Sequence, residues 1–243
     1  MSIWGKIGGA AAGLIAGGPL GAALGALAGH FLLDRPASGQ TAAADPGIAF
    51  TIAIIALGAK MARSDGRVTG DEEEAFHNYF RVPPSEEASV RRIFRLARQD
   101  TAGLETYARQ IANIYRGNPA VLEDILDGLF EIAKADGILH PGELAFLERV
   151  AEIFGFAPNE FRRIRASHFP DLEDPYLILG VAHDASEDEI WHTYRLLVRE
   201  NHPDSLIARG VPAEFIKLAN DKLAAINTAY EKIEAERRVD RPK

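Results

Sequence analysis

Apolar residues recur along most of this chain at spacings of three and four, the period of one face of an α-helix. The spacing runs through Ile48, Ile52, Ile55 and Ala59, and again through Val121, Ile125, Leu129, Ile132 and Ala133. A later run of Phe215, Leu218, Leu223, Ile226, Tyr230 and Ile233 keeps nearly the same period. Breaks fall at Asp65-Gly66, Pro83-Pro84, Gly117-Asn118-Pro119, Asp136-Gly137 and Gly155, all of them turn or helix-stop chemistry. Alternating apolar and polar runs bounded by hairpin turns are missing, so the pattern predicts an all-α chain. The run Gly47–Ala59 carries no charge but is only thirteen residues long, which predicts a buried core helix and not a membrane span.

The first segment follows another rule. From Ile7 to Leu33 there is no Asp, Glu, Lys or Arg, and Gly and Ala dominate. Such a run is long enough to cover about 30 Å of hydrocarbon at about 1.5 Å per residue. Gly9, Gly13, Gly17, Gly21, Gly25 and Gly29 keep a strict four-residue period, one small-residue stripe on which a second helix can pack. Glycine costs about 0.8–1 kcal/mol against alanine in a water-exposed helix. The stripe therefore predicts a transmembrane helix supported by lipid and by a neighbour, with a homodimer as the natural pairing. A cleaved signal peptide, a flexible Gly/Ala tail broken at Pro19, and a peripheral helix are the competing readings. Lys6 on one side, with Arg35, Lys60 and Arg63 on the other, weakly favours a cytoplasmic C-terminal part. The expected location is the inner (cytoplasmic) membrane, crossed once, with the bulk of the chain in the cytoplasm.

Residues 36–47 are small and polar, interrupted by Pro and Gly, and read as a linker. The chain then divides into an anchor at 1–35, the linker at 36–47, a helical bundle at 48–169 and a C-terminal helical hairpin at 170–243.

The bundle holds an internal repeat. At an offset of 71, Ala62-Arg63-Ser64-Asp65-Gly66-Arg67-Val68 matches Ala133-Lys134-Ala135-Asp136-Gly137-Ile138-Leu139, and Glu72 matches Glu143. Each copy reads as a helix, an Asp-Gly turn and a new acidic helix start, so two such hairpins pack as a pseudo-symmetric bundle. On these paired motifs the segment resembles the TerB (tellurite-resistance) fold, including the version found in DjlA-type membrane co-chaperones. The resemblance implies an all-helical domain with metal-binding and protein-interaction roles. Asp65, Glu72, Asp136 and Glu143 offer oxygen ligands to Ca²⁺ or Mg²⁺. The competing reading makes Asp-Gly a plain turn and Thr69-x-x-Glu72 a capping box, with no cofactor bound.

In the last segment, Asp174-Pro175-Tyr176 starts a short helix that stops at Leu179-Gly180. Ser186 to Glu189 is a capping box for a second helix with an apolar face of Ile190, Tyr194, Leu197 and Val198. His202-Pro203-Asp204 ends that helix, since proline disfavours helical geometry in the residue before it. Two antiparallel helices joined by a polar loop are expected. With D-P-Y-x-x-L-G-V at 174–181, S-x-x-E-I at 186–190, Y-R at 194–195, H-P-D at 202–204 and I-N-x-A-Y at 226–230, the segment resembles a DnaJ-type J-domain.

That resemblance implies docking of His202, Pro203 and Asp204 on the ATPase domain of a DnaK/Hsp70-type chaperone. His192, Tyr194, Arg195 and Arg199 lie on the adjoining helix, three of them on its basic face. Asp204 supplies a carboxylate suited to a charge-assisted contact with an arginine of the partner. Ser205 stands where the family often has lysine, and Glu200 is close by, which thins the basic face and reduces steering.

Composition removes other classes. The net charge of -8 argues against nucleic-acid binding. The absence of cysteine excludes disulfides, thiolate metal sites and the zinc-binding client domain of full DnaJ proteins. No nucleophile elbow, P-loop or HExxH pattern is present, so the chain is not expected to be an enzyme. Asp71-Glu72-Glu73-Glu74 suits a helix start. Arg91, Arg92, Arg95 and Arg98 suit a solvated face, with anionic lipid as the alternative. The expectation is a membrane co-chaperone that stimulates ATP hydrolysis by its partner, its client unknown. The alternative is a membrane stress-response scaffold with a metal- or partner-binding TerB-like domain and a weak J-domain.

Overall fold

The computed structural model of the chain describes residues 3–4, 46–62, 71–99, 103–134, 139–170 and 174–239. The six glycines of the stripe, the linker up to Asp45, and Asp65 and Asp136 lie outside them. The described residues form α1 (Pro46–Met61), α2 (Asp71–Tyr79), α3 (Glu87–Gln99), α4 (Leu104–Ile114), α5 (Pro119–Ala133), α6 (Pro141–Phe154) and α7 (Pro158–Ser167). They continue with α8 (Pro175–Leu179), α9 (Glu187–Glu200), α10 (Pro203–Ala208), a 3-10 turn (Ala213–Phe215) and α11 (Ile216–Val239). No strand occurs among the described residues.

The charge-free run becomes the spine of the bundle. Every residue of α1 from Gly47 to Met61 is buried, with α2, α3, α4 and α5 packed around it. Its one hydroxyl in that run is satisfied locally, Thr51 Oγ1 donating to the Gly47 carbonyl at 2.8 Å. Among the described residues no helix is long and apolar enough to cross a membrane. Gly128 lets α5 approach α1 closely, because a Cβ there would lie 2.7 Å from Ile54 Cδ1.

The repeat extends further than its motif. Adding 71 to the limits of α1, α2 and α3 gives 117–132, 142–150 and 158–170, against 119–133, 141–154 and 158–167 for α5, α6 and α7. Gly155, at φ 92, closes α6 in the left-handed region that glycine tolerates, and Phe156 N–H bonds back to the Ala151 carbonyl at 3.0 Å.

The C-terminal segment makes its own small core from Ile178, Leu179, Ile190, Ile226, Ala229 and Ile233, with Ala166 of α7 included. Its two long helices are not joined by a plain polar loop. Pro203 sits at the first turn of α10, where its missing N–H costs nothing, so the proline that ends α9 also starts another helix.

The larger core also crosses from the bundle into this segment. Leu206, Val211, Phe215, Leu218 and Ala219 are buried in the same apolar cluster as α1. Phe215 is fully buried, its ring centroid 5.1 Å from Phe50 and 4.6 Å from Phe80. Trp4 joins them, 5.8 Å from Phe76 and 5.9 Å from Phe215, and Ile3 N–H donates to Glu214 Oε1 at 2.8 Å. Trp4 and Phe50 therefore share one core. A segment crossing a bilayer once would place its two ends on opposite sides, so a single crossing requires Ile3 and Trp4 to have left this core.

Candidate functional site

The His202-Pro203-Asp204 loop lies at an outer corner of the C-terminal segment, where α9 hands over to α10. Its side chains face solvent: Asp204 is 88% and His202 53% exposed. His202 also has a local task. Its Nδ1 accepts the Asp204 backbone N–H at 3.2 Å, capping α10. The Ser205 and Leu206 amides both return to the His202 carbonyl, at 2.8 and 3.2 Å.

The end of α9 beneath the loop is closed by side chains. A helix leaves its last four carbonyls without intrahelical partners. Here Ser205 Oγ donates to the Arg199 carbonyl at 2.7 Å and Arg209 Nη1 to the Glu200 carbonyl at 2.8 Å, while the Leu197 carbonyl takes both the Asn201 backbone N–H at 2.9 Å and Asn201 Nδ2 at 2.8 Å. Ser205, which thins the basic face, thus braces the loop, and Arg209 braces it from the far end of α10. Neither role is announced by a motif.

Along α9, His192, Arg195 and Arg199 are exposed and line an open groove of about 850 Å³ that runs to His202 and Ser205. Tyr194 lines the groove too, but it is also tied to the neighbouring helix. Its ring stacks on Tyr230 of α11 at 4.1 Å and its hydroxyl donates to Asn227 Oδ1 at 3.0 Å, holding the two helices together. Trp191 was not singled out by the spacing, yet it is 48% exposed in the groove, with the Arg195 guanidinium 4.8 Å from its ring centroid. A large exposed apolar side chain beside a cation on a helix otherwise rich in charge was the legible signal.

The opposite side of the segment meets α5 across a seam of buried charge. Lys222 of α11 contacts Asp127 at 2.8 Å and Glu123 at 2.5 Å, and Arg209 contacts Asp124 at 3.0 Å. His168, after α7, lies between Asp127 and Glu131, each at 2.9 Å, with its ring stacked on Phe130. Lys134 and Arg163 complete the set, on Glu131 at 2.7 Å and Glu123 at 2.8 Å. Burial pushes the Asp127 carboxyl up, but Lys222 and His168 overcome it and hold it well below the usual carboxylate range. Burial opposes protonation of His168, while Asp127 and Glu131 raise its pKa above the ordinary value. Asp124 goes the other way: burial outweighs Lys222 and Arg209 and pushes it up to about 6. At the rim, Tyr79 Oη donates to Asp221 at 2.6 Å, and Lys217 Nζ lies 3.9 Å from the Tyr79 ring centroid. Glu123, Asp124, Asp127 and Glu131 stand on a helix whose other residues are apolar, a signal that marks the carboxylates but not their partners.

The candidate metal ligands are not assembled among the described residues. Asp65 and Asp136 lie outside them, as does the side chain of Glu72. Glu143 is buried at the start of α6, its Oε2 accepting the His140 backbone N–H at 2.9 Å, half of a capping box. No group of three or more His, Cys, Asp or Glu side chains able to hold a metal occurs among the described residues. Arg91, Arg92 and Arg95 are exposed on α3.

Three family models match in order along the chain: the co-chaperone DjlA transmembrane domain over residues 1–46, tellurite resistance protein TerB over 51–166, and the DnaJ domain over 174–239. The chain is similar to the co-chaperone protein DjlA of Escherichia coli O6:H1, 28% identical with 98% of this chain and 99% of the relative covered. It is 29% identical to DjlA of Coxiella burnetii over 96% of this chain and 97% of that protein. For DjlA of Legionella pneumophila the figures are 28%, 95% and 94%. No solved structure matches.

Proposed function

Since the chain is a DjlA-like co-chaperone with a DnaJ domain, acting with an Hsp70 (DnaK) chaperone, we propose that the His202-Pro203-Asp204 loop and the α9 groove bind the partner's ATP state and accelerate hydrolysis. The chain itself is a non-enzymatic regulator, and the bond-breaking chemistry belongs to the partner ATPase. The observation that carries the reading is the loop itself, with Asp204 and His202 turned to solvent and the backbone beneath them closed by Asn201, Ser205 and Arg209. Such a loop presents a carboxylate at a fixed place without paying ordering entropy on contact. Arg195, Arg199 and His192 steer the encounter, and Trp191 adds an apolar anchor.

Single-turnover ATP hydrolysis by a DnaK-type chaperone, with and without the full chain, tests this. Stimulation that disappears in His202→Gln is expected. No stimulation, or equal stimulation by the variant, would overturn it. The scaffold alternative is not favoured, given the co-chaperone relatives.

The transmembrane-domain match supports membrane association. A single crossing of the inner membrane, with Ile3 and Trp4 released from the core they share with Phe50 and Phe215, the bulk of the chain in the cytoplasm, and a homodimer through Gly9, Gly13, Gly17, Gly21, Gly25 and Gly29 complete the proposal. Fractionation with and without residues 1–33 tests the anchor, and Gly17→Leu with Gly21→Leu in a dimer assay tests the stripe. A divalent cation at the Asp-Gly turns would draw Glu143 away from its helix cap, and calorimetric titration with Ca²⁺ and Mg²⁺ tests for it.

A further inference from the structure

We infer that Asp124, on the bundle helix α5, is a positioning residue for the His202-Pro203-Asp204 loop, acting through Arg209. The inference rests on the reading of that loop as the partner-binding element. Arg209 donates in two directions. One terminal nitrogen reaches the carbonyl of Glu200, the last residue of α9 and two before His202, at 2.8 Å. The other reaches both carboxylate oxygens of Asp124, at 3.0 and 3.3 Å. The loop's backbone is thereby joined to a helix of the other domain through one guanidinium.

The link is held in place on both sides. Arg209 is only 19% exposed and the Asp124 side chain 4%, so water competes weakly for either end. Leu206, one turn earlier on α10, is buried in the bundle's apolar cluster. α10 is the helix that His202 caps, so its orientation and that of the loop are one variable. With α10 pinned by Leu206 and Arg209, movement of α5 relative to α9 reorients the loop. A guanidinium suits this task because its donors form a rigid planar fork. A lysine's three donors all leave from one nitrogen on a flexible stem, so it does not hold two acceptors in that fixed planar arrangement.

The consequence is a division of labour in partner stimulation. The exposed α9 face sets encounter, while the Asp124–Arg209 tie sets how the loop is presented once bound. The test uses the full chain and the variants Asp124→Asn, Arg209→Lys and the double variant. Two quantities are read: single-turnover hydrolysis by a DnaK-type chaperone over a range of co-chaperone concentrations, and amide exchange at Ser205, Leu206 and Arg209. Each single variant is expected to lower the maximal stimulated rate several-fold while the half-saturating concentration stays within about twofold. The double variant is expected to be no worse than the more severe single, since both cut one path. Exchange at the α10 amides rises about tenfold in each. Arg209→Lys keeps a cation against Asp124 and so tests the tie even if Asp124→Asn folds poorly.

Unchanged maximal rate and unchanged α10 exchange in both single variants would overturn the inference, as would strictly additive losses in the double. If the unaltered chain fails to stimulate hydrolysis, the co-chaperone reading falls, and faster exchange in the variants would still establish the mechanical tie.

Discussion

The J-domain turns two differently built faces to its surroundings. Toward α5 it presents Lys222 and Arg209, both largely buried, each against at least one carboxylate, beside Phe215 and Leu218 in the apolar core. Away from α5 it presents His192, Arg195, Arg199 and Asp204, all exposed on or beside an open groove. The same kinds of side chain therefore do different work. On the buried face charge fixes geometry, because an ion removed from water must keep its partner. On the exposed face charge stays hydrated and cheap to reassign, which suits a partner that comes and goes. The domain is gripped by the bundle on one side and open to solvent on the other.

The comparison breaks most completely at the loop. Asp204→Asn is expected to abolish stimulation of the partner's ATPase and leave thermal unfolding of the chain unchanged, because the carboxylate is exposed. A large fall in melting temperature would place Asp204 on the structural side instead.

The next largest effect lies in the seam. Lys222→Met strips Asp127 and Glu123 of their shared cation and is expected to cost about 3–5 kcal/mol in denaturant unfolding. A cost under about 1 kcal/mol would mean that the seam behaves as a surface pair.

Acid sharpens the same contrast. Asp127 is held well below its ordinary value, so its contribution to stability is present above an unfolded-state pKa of about 4 and is lost as pH falls toward the depressed folded value. Asp124, pushed up to about 6 by burial, has the opposite sign: its contribution is present below about pH 4 and is lost as pH rises through about 6. Measured from pH 2 to 7, Asp127→Asn should show a shallower acid-side loss than the unaltered chain. An unchanged slope would remove the seam from the acid response.

The smallest effect belongs to the groove. Trp191→Ala removes the apolar anchor and the cation–π contact with Arg195, worth about 0.5–1 kcal/mol at an exposed site. It should raise the half-saturating co-chaperone concentration a few-fold without lowering the maximal rate.

Much of this arrangement was legible along the chain, for identifiable reasons. The helices were readable because their apolar period is strong, and α1 was correctly placed in a core because thirteen charge-free residues are too few for a bilayer. The loop was readable because His-Pro-Asp sits within an ordered set of flanking motifs. The short helix α10 was hidden, since proline signals both a helix end and a helix start. The seam was hidden because its partners, Asp127 with Lys222 and Asp124 with Arg209, are 95 and 85 residues apart, and spacing rules see only neighbours. Tyr194 carries a role that the motif does not show: its ring stacks on Tyr230 while the residue also lines the groove. The packing of Trp4 against Phe76 and Phe215 was hidden because nothing local in Ile3-Trp4 signals it.

Amide hydrogen exchange of the full chain, free and with a DnaK-type chaperone in its ATP state, tests the two-faced account most directly. The account predicts slow exchange across α5 and the adjoining turns of α11 in the free chain, unchanged by the partner. It predicts new protection confined to α9 and to residues 202–205. Fast exchange along the seam in the free chain, or partner protection that falls on the seam and spares the loop, would contradict it.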